Sequence, residues 1–161
     1  MRAIEFAIQM ELDGEKYYLE QAEKADHAGL RAAFTLLAAE EHEHADLLKK
    51  HAAQTDYQLH ESKVPARIKG IFDNEKDLQI AFKERPEQLD AYRLALSKEK
   101  ESIELYEKMR SDATSEEERS LFEFLVEQEK IHYNTFQHII EHVMKAKQWV
   151  EAAEFGLRED Y

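Results

Sequence analysis

Glu11, Glu41, His44, Glu99, Glu129 and His132 are the side chains in this sequence whose types and spacing point to chemistry. Glu41 and His44 lie three positions apart, as do Glu129 and His132, and of the eight histidines only these two follow a Glu at that distance. On a helix this spacing puts both side chains on one face, so each pair can grip one object. The lone glutamates stand 30 positions upstream of the paired ones, Glu11 before Glu41 and Glu99 before Glu129. Four carboxylates and two neutral imidazoles suit two divalent cations, whose charge the carboxylates cancel. An oxygen and imidazole set without thiolate favours iron or manganese, with zinc admissible.

Four stretches with a helical period must position these groups. The first carries Ala3, Phe6, Ala7, Met10, Gly14, Tyr17, Tyr18 and Ala22 on one stripe, and the second Leu30, Ala33, Phe34, Leu37, Ala45 and Leu48. The third runs through Leu89, Tyr92, Ala95, Leu96, Ile103, Tyr106 and Met109, and the fourth through Phe122, Leu125, Tyr133, Phe136, Ile140 and Val143. Asp26 and Gly29 mark a turn in the first pair, and Ser111, Asp112, Thr114 and Ser115 a turn in the second. Ser115 followed by Glu118 reads as a capping box. Pro86 stands where the third helix should begin, a place that tolerates a missing N–H.

The two pairs look like copies. A shift of 88 positions superposes Glu11 on Glu99, Tyr18 on Tyr106, Arg31 on Arg119, Phe34 on Phe122, Glu41 on Glu129 and His44 on His132, without a gap. In each half the lone and the paired Glu are equidistant from the turn, roughly 15 residues or about 22 Å along a helix axis. In an antiparallel hairpin they therefore sit at one height. All six groups interrupt apolar stripes and converge on one layer inside the bundle. An isolated buried carboxylate costs several kcal/mol even after relaxation, so the layer requires cations among the acids.

The expected fold is all-α: a four-helix bundle of two hairpins, a long crossover and a short C-terminal helix. One domain covers residues 1–161, with a first hairpin at 1–53, a crossover at 54–85, a second hairpin at 86–146 and a tail at 147–161. The crossover holds Pro65, Gly70 and a weak helical pattern at Leu78, Ala81 and Phe82. Trp149 and Phe155 read as packing residues of the tail. His42, His51, His138 and His142 read as lying on or near the solvated face. Glu40 and Glu43 read as surface charge, and the run from Glu116 to Glu118 as a favourable first helical turn.

Composition narrows the function. With 35 acidic against 22 basic residues, the net charge is −13, which speaks against nucleic acid and anionic membranes as partners. The absence of cysteine excludes disulfides, thiolate metal sites and Cys nucleophiles. The first eleven residues include Glu5 and Glu11 and lack a continuous apolar run, so no signal peptide is expected, and a cytoplasmic location follows by default.

A Glu on the first and third helices with Glu-x-x-His on the second and fourth resembles the ferritin-like di-iron carboxylate pattern. The rubrerythrin branch is the nearest match, in the segments MELDGEKYY, EEHEHADLL, KEKESIELY and VEQEKIHYN. The resemblance implies two iron ions bridged by Glu41 and Glu129. Glu11 and His44 would serve one ion and Glu99 and His132 the other, the pairing of each His with a terminal Glu being left to geometry. It also implies that Tyr18 and Tyr106 hydrogen-bond the carboxylates and hold them in place.

Two features depart from the branch. Rubrerythrins commonly carry a further Glu, associated with ligand exchange, where this chain has Ser102. They often append a cysteine-ligated rubredoxin domain, whereas a chain without cysteine needs a separate electron donor. Ser102 and its repeat counterpart Gly14 are small, leaving room for water, dioxygen or peroxide. The implied activity is an oxidoreductase in which di-ferrous iron reacts with hydrogen peroxide or dioxygen. The alternatives are a non-catalytic protein that stores or delivers iron, and a zinc-stabilised structural bundle. A homodimer is expected, because the exposed sides of such bundles often pair.

Overall fold

Almost nothing in the sequence breaks a helix, and the helices are accordingly long. A computed structural model describes residues 2–72 and 87–159. Its helices are α1 (Ala3–Lys24), α2 (Ala28–Ala52), α3 (Val64–Phe72), α4 (Glu87–Asp112) and α5 (Glu116–Glu159). No strand occurs among the described residues.

Both tight turns are held by side chains that satisfy the free ends of helices. After α1, the Arg31 guanidinium donates to the Ala25 carbonyl at 2.8 Å, and the His27 ring accepts from Leu30 N at 3.2 Å to cap α2. Before α5, Ser115 Oγ accepts from Glu118 N at 3.1 Å, and the Glu118 carboxylate accepts from Thr114 N at 3.1 Å. The expected capping pair is thus present, with its return bond one residue upstream.

α1 packs along α2 and α4 along α5, while contacts of α1 with α4 and of α2 with α5 close the bundle. Tyr18 bonds Glu99 whereas Tyr106 bonds Glu11, so α1 and α4 run antiparallel. His44 meets Glu129 and His132 meets Glu41, which makes α2 and α5 antiparallel as well. It follows that α2 and α4 point the same way, and the intervening chain must traverse the length of the bundle. Part of that crossover is α3, which lies against α2 and α5. Pro65 occupies its first turn, where the missing N–H costs no helical bond. The pattern at Leu78, Ala81 and Phe82, and the start signal at Pro86, lie outside the described residues.

The tail differs from expectation. Residues 147–159 do not form a separate short helix but continue α5, which runs unbroken for 44 residues. No Gly or Pro occurs between Glu116 and Phe155, so nothing in the backbone stops the helix. The side chains of Trp149 and Phe155 lie outside those described.

The apolar core is in two parts. One gathers Tyr18, Phe34, Leu37, Tyr92, Phe136 and Ile139, joined by Val64 and Ile68 of α3. Its rings are layered, with Phe34 centred 5.3 Å from Tyr92 and Tyr18 centred 5.7 Å from Phe136. The other gathers Leu48, Tyr106, Leu121, Phe122 and Leu125. Phe6, expected in the core, is 54% exposed at the rim of a gap between α1 and α4. Between the two apolar parts lies the polar layer.

Candidate metal centre

Glu11, Glu41, His44, Glu99, Glu129 and His132 are all buried, none more than 4% exposed. One potential ligand atom from each of Glu11, Glu41, His44 and Glu129 falls within 4.8 Å of the other three. The same is true of Glu41, Glu99, Glu129 and His132. Glu41 and Glu129 therefore belong to both groups, and the groups abut.

The shortest contact of each histidine crosses between the hairpins. His44 Nδ1 lies 3.1 Å from Glu129 and 3.7 Å from Glu11. His132 Nδ1 lies 2.9 Å from Glu41, 3.5 Å from Glu129 and 3.6 Å from Glu99. Tyr18 donates its hydroxyl to Glu99 and Tyr106 to Glu11, so each tyrosine holds an acid of the other hairpin.

Electrostatics divides the six groups. Burial raises Glu41 and Glu129 well above the usual carboxyl range, and the negative charge of neighbouring acids raises them further. Burial also opposes ionisation of Glu11, but the adjacent Glu41 carboxyl and the charge of His44 outweigh it and hold Glu11 at about 2. Glu99 is lowered despite burial by Glu129, His132 and Tyr18. Burial would lower His44, yet Glu11 and Glu129 lift it to about 10, and surrounding acids likewise raise His132 well above its usual value. Glu11 and Glu99 are thus biased toward the ionised form, and Glu41, Glu129, His44 and His132 toward the protonated form, so that charges partly offset one another within the layer. Protons and divalent cations compete for the same role.

The donors fit a pair of metal ions. Three buried carboxylate oxygens, Glu11 Oε2, Glu99 Oε2 and Glu129 Oε2, have no hydrogen-bond partner. A buried acceptor left without a donor is costly, and a cation at the centre of the layer removes that cost for all three. Oxygen and imidazole without sulfur is the donor set of iron and manganese.

Small side chains leave the layer open on the α1–α4 side. A pocket of about 340 Å³ reaches Glu41, Glu99 and Tyr18 past Met10, Gly14 and Ser102. A Cβ added at Gly14 would stand 3.5 Å from Glu41 Oε2, so anything longer would intrude on the acid. Ser102 Oγ turns back to the Lys98 carbonyl at 3.1 Å, away from the acids.

One residue of the layer was misread from sequence. Glu40, expected as surface charge, is buried, and His132 donates to it from Nε2 at 2.9 Å. Its neighbours are in the crossover, where Ser62 Oγ and Lys63 N donate to its two oxygens. A signal existed in the repeat: the counterpart of Glu40 is Gln128, and both are polar and buried. Of the other residues read as solvated, Glu43, His42 and His138 are exposed, and His51 and His142 are half-buried. His42 pairs with Glu15 at 3.0 Å, and His51 bonds the Tyr57 hydroxyl at 3.1 Å.

Among the described residues no helix is long and apolar enough to cross a membrane. No curated protein and no solved structure matches the chain significantly. The family model for rubrerythrin, however, matches residues 3–140, spanning both hairpins and every member of the buried layer. A helical bundle with a buried Glu and His cluster compatible with two iron ions, matched over most of its length by that model, places this chain in the rubrerythrin family.

Proposed function

We propose that the protein binds two iron ions in the buried layer and acts as an oxidoreductase toward hydrogen peroxide or dioxygen. The observation that supports this reading best is the pair of abutting donor groups that share Glu41 and Glu129. Those two carboxylates would bridge the ions, Glu11 and His44 would complete one set, and Glu99 and His132 the other. Ferrous ions bound there would supply Lewis acidity and the two electrons that take peroxide to water.

The protein's own part is positional. Tyr18 and Tyr106 keep the outer acids aimed inward, and both hydroxyls hold their protons because burial and adjacent carboxylates raise them well above the usual phenol range. The pocket past Gly14 and Ser102 would admit an oxidant to the Glu41 and Glu99 edge of the layer, with the Tyr18 hydroxyl at hand. Apolar clusters cover the layer above and below. Electrons for further turnovers would come from a separate donor. Pairing of two chains belongs to the same reading, and light scattering checks it.

Stopped-flow mixing of the di-ferrous protein with peroxide, and separately with dioxygen, tests the reaction. Oxidation much faster than that of free ferrous ion is expected. Tight binding with oxidation no faster than in free solution would instead indicate storage or delivery.

A further inference from the structure

We infer that Glu40 is the positioning residue of one cation position, and that its hold on His132 makes that position the tighter of the two. The inference rests on the binding of two ions proposed above and adds an order of filling.

An imidazole offers a cation one nitrogen, and whatever holds the other nitrogen sets the tautomer, the ring plane and the basicity. His132 is held at both. Its Nδ1 faces Glu41, Glu99 and Glu129, and its Nε2 donates to Glu40 at 2.9 Å. Glu40 is itself fixed, since Ser62 Oγ and Lys63 N donate to its oxygens, and Ser62 Oγ in turn accepts from Val64 N at 3.2 Å where α3 begins. A continuous chain of bonds therefore ties the ring to the backbone of the crossover.

The other half lacks this arrangement. The repeat puts Gln128 in place of Glu40, but Gln128 does not turn to His44. Its Oε1 accepts from Ser62 N and its Nε2 donates to Glu61, both at 2.9 Å. Glu40 and Gln128 thus reach the same stretch of crossover, one from each hairpin, and only Glu40 also reaches an imidazole. The contacts of His44 with the layer run through Nδ1. Its ring lines a cleft of about 570 Å³ shared with Glu43, Asp46, Asp56 and His60. The tyrosine bonds and the inward-facing nitrogens obey the repeat, so the departure is confined to what stands behind each ring.

Loss of such an outer partner typically weakens metal affinity by about 10- to 100-fold. Cobalt(II) titration of the metal-free protein, followed by visible absorption against a competing chelator, tests the assignment. The wild-type chain should fill in two resolvable steps. Glu40→Ala should weaken the tighter step by about 10- to 100-fold and leave the weaker one nearly unchanged. His44→Ala should abolish the weaker step and preserve the tighter one. Glu40→Gln, whose amide oxygen can still accept from Nε2, should give a smaller loss and restore the cobalt spectrum of the first step. That rescue separates positioning from packing, and it remains measurable if the alanine variant fails to fold by circular dichroism. Two wild-type steps of equal affinity would overturn the inference while leaving the two-ion reading intact, as would a Glu40→Ala effect spread equally over both. A wild-type chain that binds no cobalt would overturn both.

Discussion

Loading the layer with two divalent cations should release about four protons at pH 7, two from carboxyls and two from imidazoles. The count follows from the environment of each group. Glu41 and Glu129 are buried among other acids and pushed well above the usual carboxyl range, which favours their protonated form before metal arrives. His44, lifted to about 10, and His132, raised well above its usual value, enter as imidazolium ions. Glu11, held at about 2, and Glu99, also lowered, have no proton to give. The summed binding free energy should then strengthen with pH by about 5 kcal/mol per unit near neutrality, at 1.36 kcal/mol for each proton. Calorimetric titration with cobalt(II) or zinc(II) in two buffers of different ionisation enthalpy measures the count directly. Release of fewer than two protons would mean that the acids are ionised and the imidazoles neutral before metal arrives. The electrostatic account of the layer would then be wrong.

The sharing of Glu41 and Glu129 predicts unequal effects of alanine substitutions on metal content: either of these should cost both ions, whereas Glu11→Ala or Glu99→Ala should leave about one, as elemental analysis would show. Phe34→Ala opens the ring stack against Tyr92 and Phe136 and should destabilise the metal-free protein by about 3–5 kcal/mol in urea denaturation. The metal-free protein should also lose thermal stability as pH rises. The folded-state pKa of His44 lies above its unfolded value, so its contribution is complete below about 6.5 and gone above about 10. Raised Glu41 and Glu129 act in the same direction, with their contribution complete below about 4.5, while lowered Glu11 protects the fold above about 4.5 and fails as pH falls toward 2. Melting temperatures should therefore fall from pH 6 to 10 without metal, and the gain on adding metal should widen over the same range.

Much of the architecture was legible because two independent patterns agreed. Helical periodicity put Glu11, Glu41, Glu99 and Glu129 on inward faces, and the repeat put them at equal distances from the turns at 25–27 and 113–115. Neither pattern carries information about which hairpin holds which acid. The crossing of Tyr18 to Glu99 and Tyr106 to Glu11 depends on α1 lying beside α4, which only docking decides. Glu40 was misread for a related reason. It precedes an inward acid by one residue, so helical phase alone turns it aside, and what buries it is a stretch of crossover with no periodicity of its own. Phe6 failed in the opposite sense: its phase is that of the core, but α1 and α4 stand apart there and leave the ring at the rim of the pocket. The continuation of α5 was readable in the lack of Gly and Pro from Glu116 to Phe155, the plainest signal for a helix that has no reason to end.

The exchange of partners between hairpins shapes how the molecule assembles. Each helical pair forms from neighbours close in sequence, at little cost in loop entropy, whereas the bonds of the polar layer join residues 81 to 95 positions apart. Each tyrosine bond and the shortest contact of each histidine reach into the other half, so the layer is completed late, when two preformed units clasp. A fragment holding one hairpin would carry half of each lock and none of the matching keys, and its simplest remedy would be to clasp a second fragment like itself.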